Sequence, residues 1–260
     1  MKKRRDGFTL VEFAIVFTVI GLIIGGLLVT RSLIRQAELR AVIAEADRYT
    51  KAIGEFKTKY NALPGDMYNA EDFWGSDAGC PNTPSSSTPH TATCNGNGDG
   101  QIDPYPNNTF VYEEYRAWQQ LADAQLIDGT YSGTVGSAST CDTVPGVNTP
   151  VSKLPGNTSY LNYFNAPNGD ANVYPMTGHV FSIAAGYPTA PVGCPYYPIL
   201  TGAEALSIDT KLDDGVPGAG KIRTWKPAVT QCADNADPTV AKYITSNDQL
   251  RCTLFIITDL

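Results

Sequence analysis

Charged side chains are scarce in this sequence, histidine occurs only twice, and proline is missing from the first 63 residues. Charged residues make up 17% of the 260-residue chain, which has a net charge of −7. An excess of acids repels phosphate backbones, so the composition argues against nucleic-acid binding. The sequence has no motif of a serine hydrolase, zinc protease, phosphate-binding loop or dinucleotide fold, and neither His90 nor His179 lies beside a nucleophile motif. It therefore predicts a protein that is not an enzyme.

The six cysteines include no CxxC pair, which argues against a zinc knuckle or a thioredoxin-like redox site. They are spread through loops rich in glycine and proline, where an even number favours structural disulfides in an oxidising compartment. Free buried thiols are the alternative. Proximity along the chain predicts three pairs, namely Cys80–Cys94, Cys141–Cys194 and Cys232–Cys252.

Residues 8–29 form an apolar segment in which Glu12 is the only charged residue. As a helix, these 22 residues span about 33 Å, which is enough to cross a bilayer and too long for the core of an ordinary cleaved signal. The basic cluster from Lys2 to Arg5 predicts that the N-terminus stays in the cytoplasm. A lone carboxylate costs roughly 2.5–3.5 kcal/mol at the middle of a bilayer, so Glu12 requires a partner.

The helical pattern continues beyond the apolar segment. Between residues 31 and 60 there is no proline, and apolar residues recur at spacings of mostly three and four, which indicates an amphipathic helix. The sequence therefore predicts one helix from Phe8 to about Tyr60, ended by Pro64 and Gly65. Its first half, residues 8–29, is expected in lipid or among identical helices. Its amphipathic half, residues 30–62, is expected to lie against a globular head of residues 63–260.

The head is predicted to be an α+β domain with many loops and an antiparallel sheet. Helices are predicted within "NTFVYEEYRAWQQLADAQLIDG" and at about residues 202–213, where Thr201 and Glu204 form a capping box. Strands are predicted at residues 178–186 and within "KIRTWKP" and "RCTLFIIT", and "TYSG" is expected to begin another strand. Residues 76–109 are predicted to form a long loop that the Cys80–Cys94 disulfide closes.

The start of the chain has a family resemblance. "KKRRDGFTLVEFAIVFTVIGLI", residues 2–23, resembles the class III signal and N-terminal helix of type IV pilins and type II secretion pseudopilins. The shared features are the basic leader, Gly7, Phe8 and the run that ends in Glu12. The resemblance implies that residues 1–7 are a leader, which prepilin peptidase removes at the Gly7–Phe8 bond before it methylates the new amino terminus. A looser resemblance to a pseudopilin-like group, in "YNALPGD" and "IDTKLDDG", extends over most of the chain.

This resemblance suggests a partner for Glu12. Cleavage leaves a positively charged amine on Phe8 inside an apolar helix bundle, where Glu12 of an axially shifted neighbour can neutralise it. Because a buried charge is tolerated when it is paired, the two groups are expected to set the register between subunits. The alternative is that Glu12 turns to the membrane interface from the first turn of its helix.

The resemblance implies a structural subunit. It is expected to cross the bacterial inner membrane once until an assembly platform polymerises it with other pilin or pseudopilin subunits. The product is a type IV pilus or a type II secretion pseudopilus, in the periplasm or on the cell surface. Two alternatives stay open: a low-copy minor pilin whose head is a tip adhesin or receptor, and a monomeric, membrane-anchored periplasmic binding protein or hydrolase.

The loop "NGNGDGQID", residues 95–103, matches the first nine positions of an EF-hand calcium loop. Its expected oxygen donors are the side chains of Asn95, Asn97, Asp99 and Asp103 and the backbone carbonyl of Gln101. The twelfth position is Pro106 rather than a glutamate, so Glu113 or Glu114 is expected to substitute and Ca²⁺ binding is expected to be weak. The alternative is a turn that binds no metal.

A second acidic group consists of Asp209, Asp213 and Asp214. Asp209 and Asp213 are one helical turn apart, so a metal site is conceivable there. Capping and solubilising the end of a helix is the favoured interpretation, because Lys211, Lys221 and Arg223 are close in sequence.

Overall fold

The computed structural model describes residues 9–78, 80, 89–103, 113–135, 143–169, 171–185 and 197–260, with the backbone alone for residues 28–29 and 157–160. The chain divides into two compact units, residues 1–40 and 41–260. The helices are α1 (Leu10–Tyr60), α2 (Glu71–Trp74), α3 (Glu113–Asp123), α4 (Gly202–Leu212) and α5 (Pro227–Thr230). The strands are β1 (Asn157–Ala166), β2 (Met176–Ala185), β3 (Ile222–Arg223) and β4 (Leu254–Ile257). A long N-terminal helix with a small antiparallel sheet confirms the predicted α+β class.

The first unit contains the apolar part of α1. No proline interrupts the helix here, and its threonine hydroxyls find acceptors on the preceding turn, so they need no partner outside the helix. Thr18 donates to the Ala14 carbonyl and Thr30 donates to the Gly26 carbonyl, each at 2.8 Å. By length and composition, α1 is able to cross a membrane.

The remainder of α1 packs an apolar stripe into the core of the second unit. Its most buried members are Val42, Tyr49, Ile53 and Phe56. The Tyr49 ring meets the edge of Trp118 on α3 with centroids 5.0 Å apart, and it lies 6.1 Å from the ring of Phe181 on β2. Asp47 and Lys51 pair at 2.6 Å on the exposed face. The stripe is therefore buried on one side, as the three- and four-residue spacing predicts.

The sheet of the second unit has the strand order β1-β2-β4-β3, and each neighbouring pair is antiparallel. The inner strand β2 places Phe181 opposite Leu161 of β1 on one side and opposite Ile256 of β4 on the other. The predicted helix at 202–213 is α4, where the Thr201 and Glu204 capping box is confirmed. The predicted strands at 178–186 and within "RCTLFIIT" correspond to β2 and β4.

Other strand predictions need correction. The segment "TYSG" does not begin a strand, since the Ser132 N–H donates to the Val147 carbonyl at 2.8 Å in a contact between two loops. Within "KIRTWKP" only Ile222 and Arg223 belong to a strand. Pro227, which has no N–H for a ladder, begins α5 instead. Strand β1 is not predicted from the sequence at all.

In the described part of the second unit two disulfides join loops, Cys80–Cys94 and Cys232–Cys252. Both are among the pairs that proximity in sequence predicts. The predicted pair of Cys141 and Cys194 lies outside the described residues. The Cys80–Cys94 disulfide lies next to α3, because a guanidinium nitrogen of Arg116 is 3.2 Å from the Cys94 sulfur.

Candidate functional site

Helix α1 begins with a capping box formed by Thr9 and Glu12. One carboxylate oxygen of Glu12 accepts hydrogen bonds from the Thr9 N–H at 2.7 Å and from the Thr9 hydroxyl at 2.8 Å. The Thr9 hydroxyl oxygen accepts the Glu12 N–H at 3.3 Å. These bonds satisfy backbone N–H groups that lack partners within the first helical turn. The T-x-x-E spacing of residues 9–12 signals this role, which the interpretation of Glu12 as an assembly contact left out.

The capping box directs the Glu12 carboxylate toward the N-terminal end of α1, where it lies against Thr9, the residue that follows Phe8. Gly7 and Phe8 lie outside the described residues. Their roles as the cleavage site and the methylated terminus therefore stay predictions, as does the contact of Glu12 with a second subunit.

The apolar side chains around and after Glu12 project from all sides of α1. Leu10 is 86% exposed and Leu22 is 73% exposed, and every residue from 10 to 27 is exposed. A continuous exposed apolar surface of this extent marks contact with lipid or with other proteins. Because this surface surrounds the helix, it suits a bilayer or a bundle of helices better than a groove on a single partner.

Residues 2–28 match the family model of the prokaryotic N-terminal methylation motif. The chain carries the type IV pilin and pseudopilin signature. No curated protein and no solved structure matches the chain. The pilin signature implies processing by prepilin peptidase and assembly with other pilins. Together with the apolar helix, it fits a subunit anchored in the inner membrane.

In the second unit the 95–103 loop wraps around two buried acids. The Asp66 carboxylate accepts the N–H groups of Asp99 at 3.0 Å and Gly100 at 2.9 Å. The Glu113 carboxylate, at the start of α3, accepts the N–H groups of Asn97 at 3.1 Å and Asp103 at 3.0 Å. The loop therefore obtains its shape from carboxylates that belong to two other segments of the chain.

The predicted calcium ligands divide into two groups. The side-chain amide nitrogen of Asn97 lies 3.2 Å from a carboxylate oxygen of Asp99 and 3.5 Å from one of Asp103, so these three side chains converge. Asn95 faces elsewhere, since its side-chain oxygen accepts the Glu71 N–H at 2.9 Å at the start of α2. The N–H of Gln101 donates to a side-chain oxygen of Asp99 at 2.9 Å, and this bond closes a turn over residues 99–101.

Burial raises the pKa values of the acids that support this loop. The pKa of Asp66 rises to about 6 and that of Glu113 to about 8, mainly because their charged forms lose water. The pKa of the fully buried Glu114 also lies well above its usual range, for the same reason and because the charges of Glu113 and Asp103 repel its own. Asp66 was not recognised from the sequence, because "PGD" indicates only a turn.

Asp209, Asp213 and Asp214 bring three carboxylate oxygens within 4.8 Å of one another. Each carboxylate already has protein donors. Asp209 accepts the Tyr243 hydroxyl at 2.7 Å and the Gly215 N–H at 3.1 Å, and Asp214 accepts a backbone N–H at 2.8 Å. Asp213 accepts the N–H groups of Lys221 and Ile222. The group therefore ends α4 and holds the turn after it, as the capping interpretation predicts.

Proposed function

We propose that this chain is a structural subunit that prepilin peptidase cleaves between Gly7 and Phe8 and methylates on Phe8. The mature subunit polymerises through α1 into a type IV pilus or a type II secretion pseudopilus. The observation that carries this proposal is that the methylation motif of residues 2–28 overlaps the start of α1, where the apolar side chains of residues 10–27 are exposed on every side. Packing such helices together in a filament removes this apolar surface from lipid and water alike.

Glu12 determines the register of subunits in this proposal. In its capping box one carboxylate oxygen takes both bonds from Thr9, which leaves the carboxylate further lone pairs for a second donor. The methylated amine of a neighbouring subunit is that donor. An ion pair inside an apolar bundle is sensitive to axial shifts, because a displaced subunit leaves both charges unpaired.

The processing step is tested by mass spectrometry of the chain isolated from cells that contain prepilin peptidase. The expected N-terminus is N-methylated Phe8, and Gly7→Ala is expected to leave the precursor uncut. A mature chain that begins at any other residue would contradict the proposal.

The assembly step is tested with two substitutions at Glu12. Glu12→Gln retains an amide oxygen for the capping box but removes the charge, whereas Glu12→Ala removes both. If the charge sets the register, both variants are processed normally and both enter filaments at least about tenfold less than the wild type. Normal incorporation of Glu12→Gln, with loss only in Glu12→Ala, would show that capping alone matters.

A further inference from the structure

Several acids near the 95–103 loop are buried without a compensating base. Asp66 is 3% exposed, Glu113 is 2% exposed and Glu114 is fully buried. The ion pairs formed within the described part of the chain include none of the three. An ionised carboxylate in such a place is costly unless a positive charge or several hydrogen-bond donors compensate it.

Glu114 has the least compensation. Within the described part of the chain no other residue donates a hydrogen bond to its carboxylate oxygens, and its own backbone N–H is the one donor close to them. The charges that act on it are those of Glu113 and Asp103, which belong to the loop cluster. A buried polar group without a protein partner points to an ion or an ordered water beside it.

Glu113 reaches the 95–103 loop from the start of α3, as the last ligand of an EF-hand loop does from its exiting helix. In such loops a bidentate glutamate follows the oxygen-rich turn and leads into the exiting helix. Here the chain leaves the 95–103 loop and enters α3 at Glu113, whose two oxygens each contact the loop backbone, at Asn97 and at Asp103. The glutamate that the sequence lacks at Pro106 is thus brought to the loop from further along the chain.

The Asn97 side chain shows where positive charge is favoured. Its amide nitrogen donates toward the carboxylates of both Asp99 and Asp103, so the hydrogen atoms of a neutral amide lie between two acids. A divalent cation at this point attracts the same carboxylates much more strongly than an amide does. Rotation of the Asn97 side chain presents its oxygen in place of its nitrogen. This breaks the bond of 2.9 Å that the oxygen accepts from the Asp99 N–H, but the same N–H still donates to Asp66.

We infer that the 95–103 loop and the start of α3 form a Ca²⁺ site, with side-chain oxygens of Asn97, Asp99, Asp103 and Glu113 as ligands. All four ligands are hard oxygen donors, which favours Ca²⁺ over zinc or copper. The site draws on a loop and a helix end, and Ca²⁺ tolerates such irregular sets of six to eight oxygens better than Mg²⁺ does. The ion fastens the loop to α3. This inference concerns the head and does not depend on filament assembly.

The experiment uses the full chain purified in detergent, treated with EDTA and then dialysed free of chelator. Calorimetric titration with CaCl₂ is expected to show one site with a Kd on the order of 0.1–1 mM, as in extracellular calcium modules. About 10 mM CaCl₂ is expected to raise the Tm by roughly 3–5 °C, and EDTA is expected to reverse this rise. MgCl₂ at the same concentration is expected to raise the Tm by less than half as much.

The test variant carries two substitutions, Asp99→Asn and Asp103→Asn. The control is Asp248→Asn, a single substitution of an exposed acid. Asparagine at 99 retains an oxygen for the Gln101 N–H, so the turn itself is preserved. The double variant is expected to bind Ca²⁺ at least about tenfold more weakly and to lose the calcium-dependent rise in Tm, while its Tm without calcium stays equal or increases. The control is expected to respond to Ca²⁺ as the wild type does.

An unchanged wild-type Tm in CaCl₂ together with no heat of binding would overturn the assignment. A calcium response that persists in the double variant would place the ion elsewhere and overturn it equally. A response to Mg²⁺ as large as that to Ca²⁺ would contradict the choice of metal.

Discussion

Glu45 of α1 accepts a hydrogen bond from the hydroxyl of Ser152 at 2.7 Å. Its second oxygen accepts the N–H of Lys153 at 2.8 Å, and the Ser152 hydroxyl in turn accepts the Leu154 N–H at 3.1 Å. Glu45 is buried, and it joins α1 to a loop that is more than 100 residues away in sequence. One carboxylate therefore organises three consecutive residues of this loop.

Glu45→Ala is expected to lower the free energy of unfolding by about 1–3 kcal/mol, because it leaves buried donors without an acceptor. Glu45→Gln retains one acceptor oxygen and is expected to lose less. Denaturant unfolding of the full chain in detergent measures both, with Glu55→Ala on the exposed face of α1 as the control. Equal losses in the alanine variants at 45 and 55 would contradict the role of the loop contact.

Gly96 lies against the backbone of another turn. A Cβ atom at this position would be 2.3 Å from the Gly65 carbonyl oxygen and 2.4 Å from the carbonyl carbon of Asp66. Gly96→Ala must therefore move the 95–103 loop away from the Asp66 turn, and we expect the free energy of unfolding to fall by about 3 kcal/mol or more. Gly54 lies within α1, where an added Cβ would meet nothing within 4 Å. Gly54→Ala is therefore expected to raise the free energy of unfolding by about 0.5–1 kcal/mol. Thermal unfolding of the two variants side by side tests the contrast, and equal Tm values would refute it.

The two described disulfides are expected to contribute similar stability. They close loops of 14 and 20 residues, for which chain entropy gives about 3 kcal/mol each. Replacing Cys232 and Cys252 together by serine is therefore expected to lower the free energy of unfolding by about 2–4 kcal/mol, and the pair Cys80 and Cys94 by a comparable amount. Urea unfolding of each double variant is the measurement, and a variant as stable as the wild type would show that the corresponding bond is not formed in solution.

Asp209 gives the head a dependence on pH. Burial raises the pKa of this carboxyl from 3.8 to about 6, although the Tyr243 hydroxyl and the Gly215 N–H favour its charged form. Because the folded state binds its proton more tightly than the unfolded state does, Asp209 supports stability at acid pH. That support is lost as the pH rises from about 4 to about 6.

Asp209→Asn is therefore expected to flatten this part of the stability profile. Asparagine can accept from Gly215 and donate to the Tyr243 oxygen, so both contacts survive without the charge. The free energy of unfolding of the variant, measured relative to the wild type, is expected to be about 2 kcal/mol higher at pH 7 than at pH 4. Chemical unfolding at the two pH values measures this difference. A parallel shift of both values, like that expected of the exposed Asp248→Asn, would contradict the assignment.

The elements that could be predicted are those whose signals are local. Thr201 and Glu204 indicate the start of α4 within four residues. The absence of proline and the three- and four-residue spacing of the apolar residues indicate α1. Strand β4 contains a short run of β-branched and aromatic residues, "LFII", which is recognisable without its neighbours. In these segments sequence preference and tertiary packing favour the same structure.

The remaining elements depend on contacts between distant residues. Strand β1 contains three asparagines, which have low strand preference, and it is recruited by pairing with all ten residues of β2. The role of Asp66 depends on N–H groups 33 and 34 residues away, for which the sequence carries no local sign. "TYSG" has strand preference, but its backbone bonds to a neighbouring loop instead.

The capping box of Thr9 and Glu12 has a consequence for what the charged pair contributes to the proposed filament. In a free subunit the Glu12 carboxylate already accepts two hydrogen bonds from Thr9, so it does not depend on a second chain for a donor. On entering a filament, the same acid would exchange or share that arrangement with an amine from another chain. The charged pair then adds only the difference between the two arrangements, so that it selects the register while burial of the apolar surface of α1 supplies the driving force for assembly.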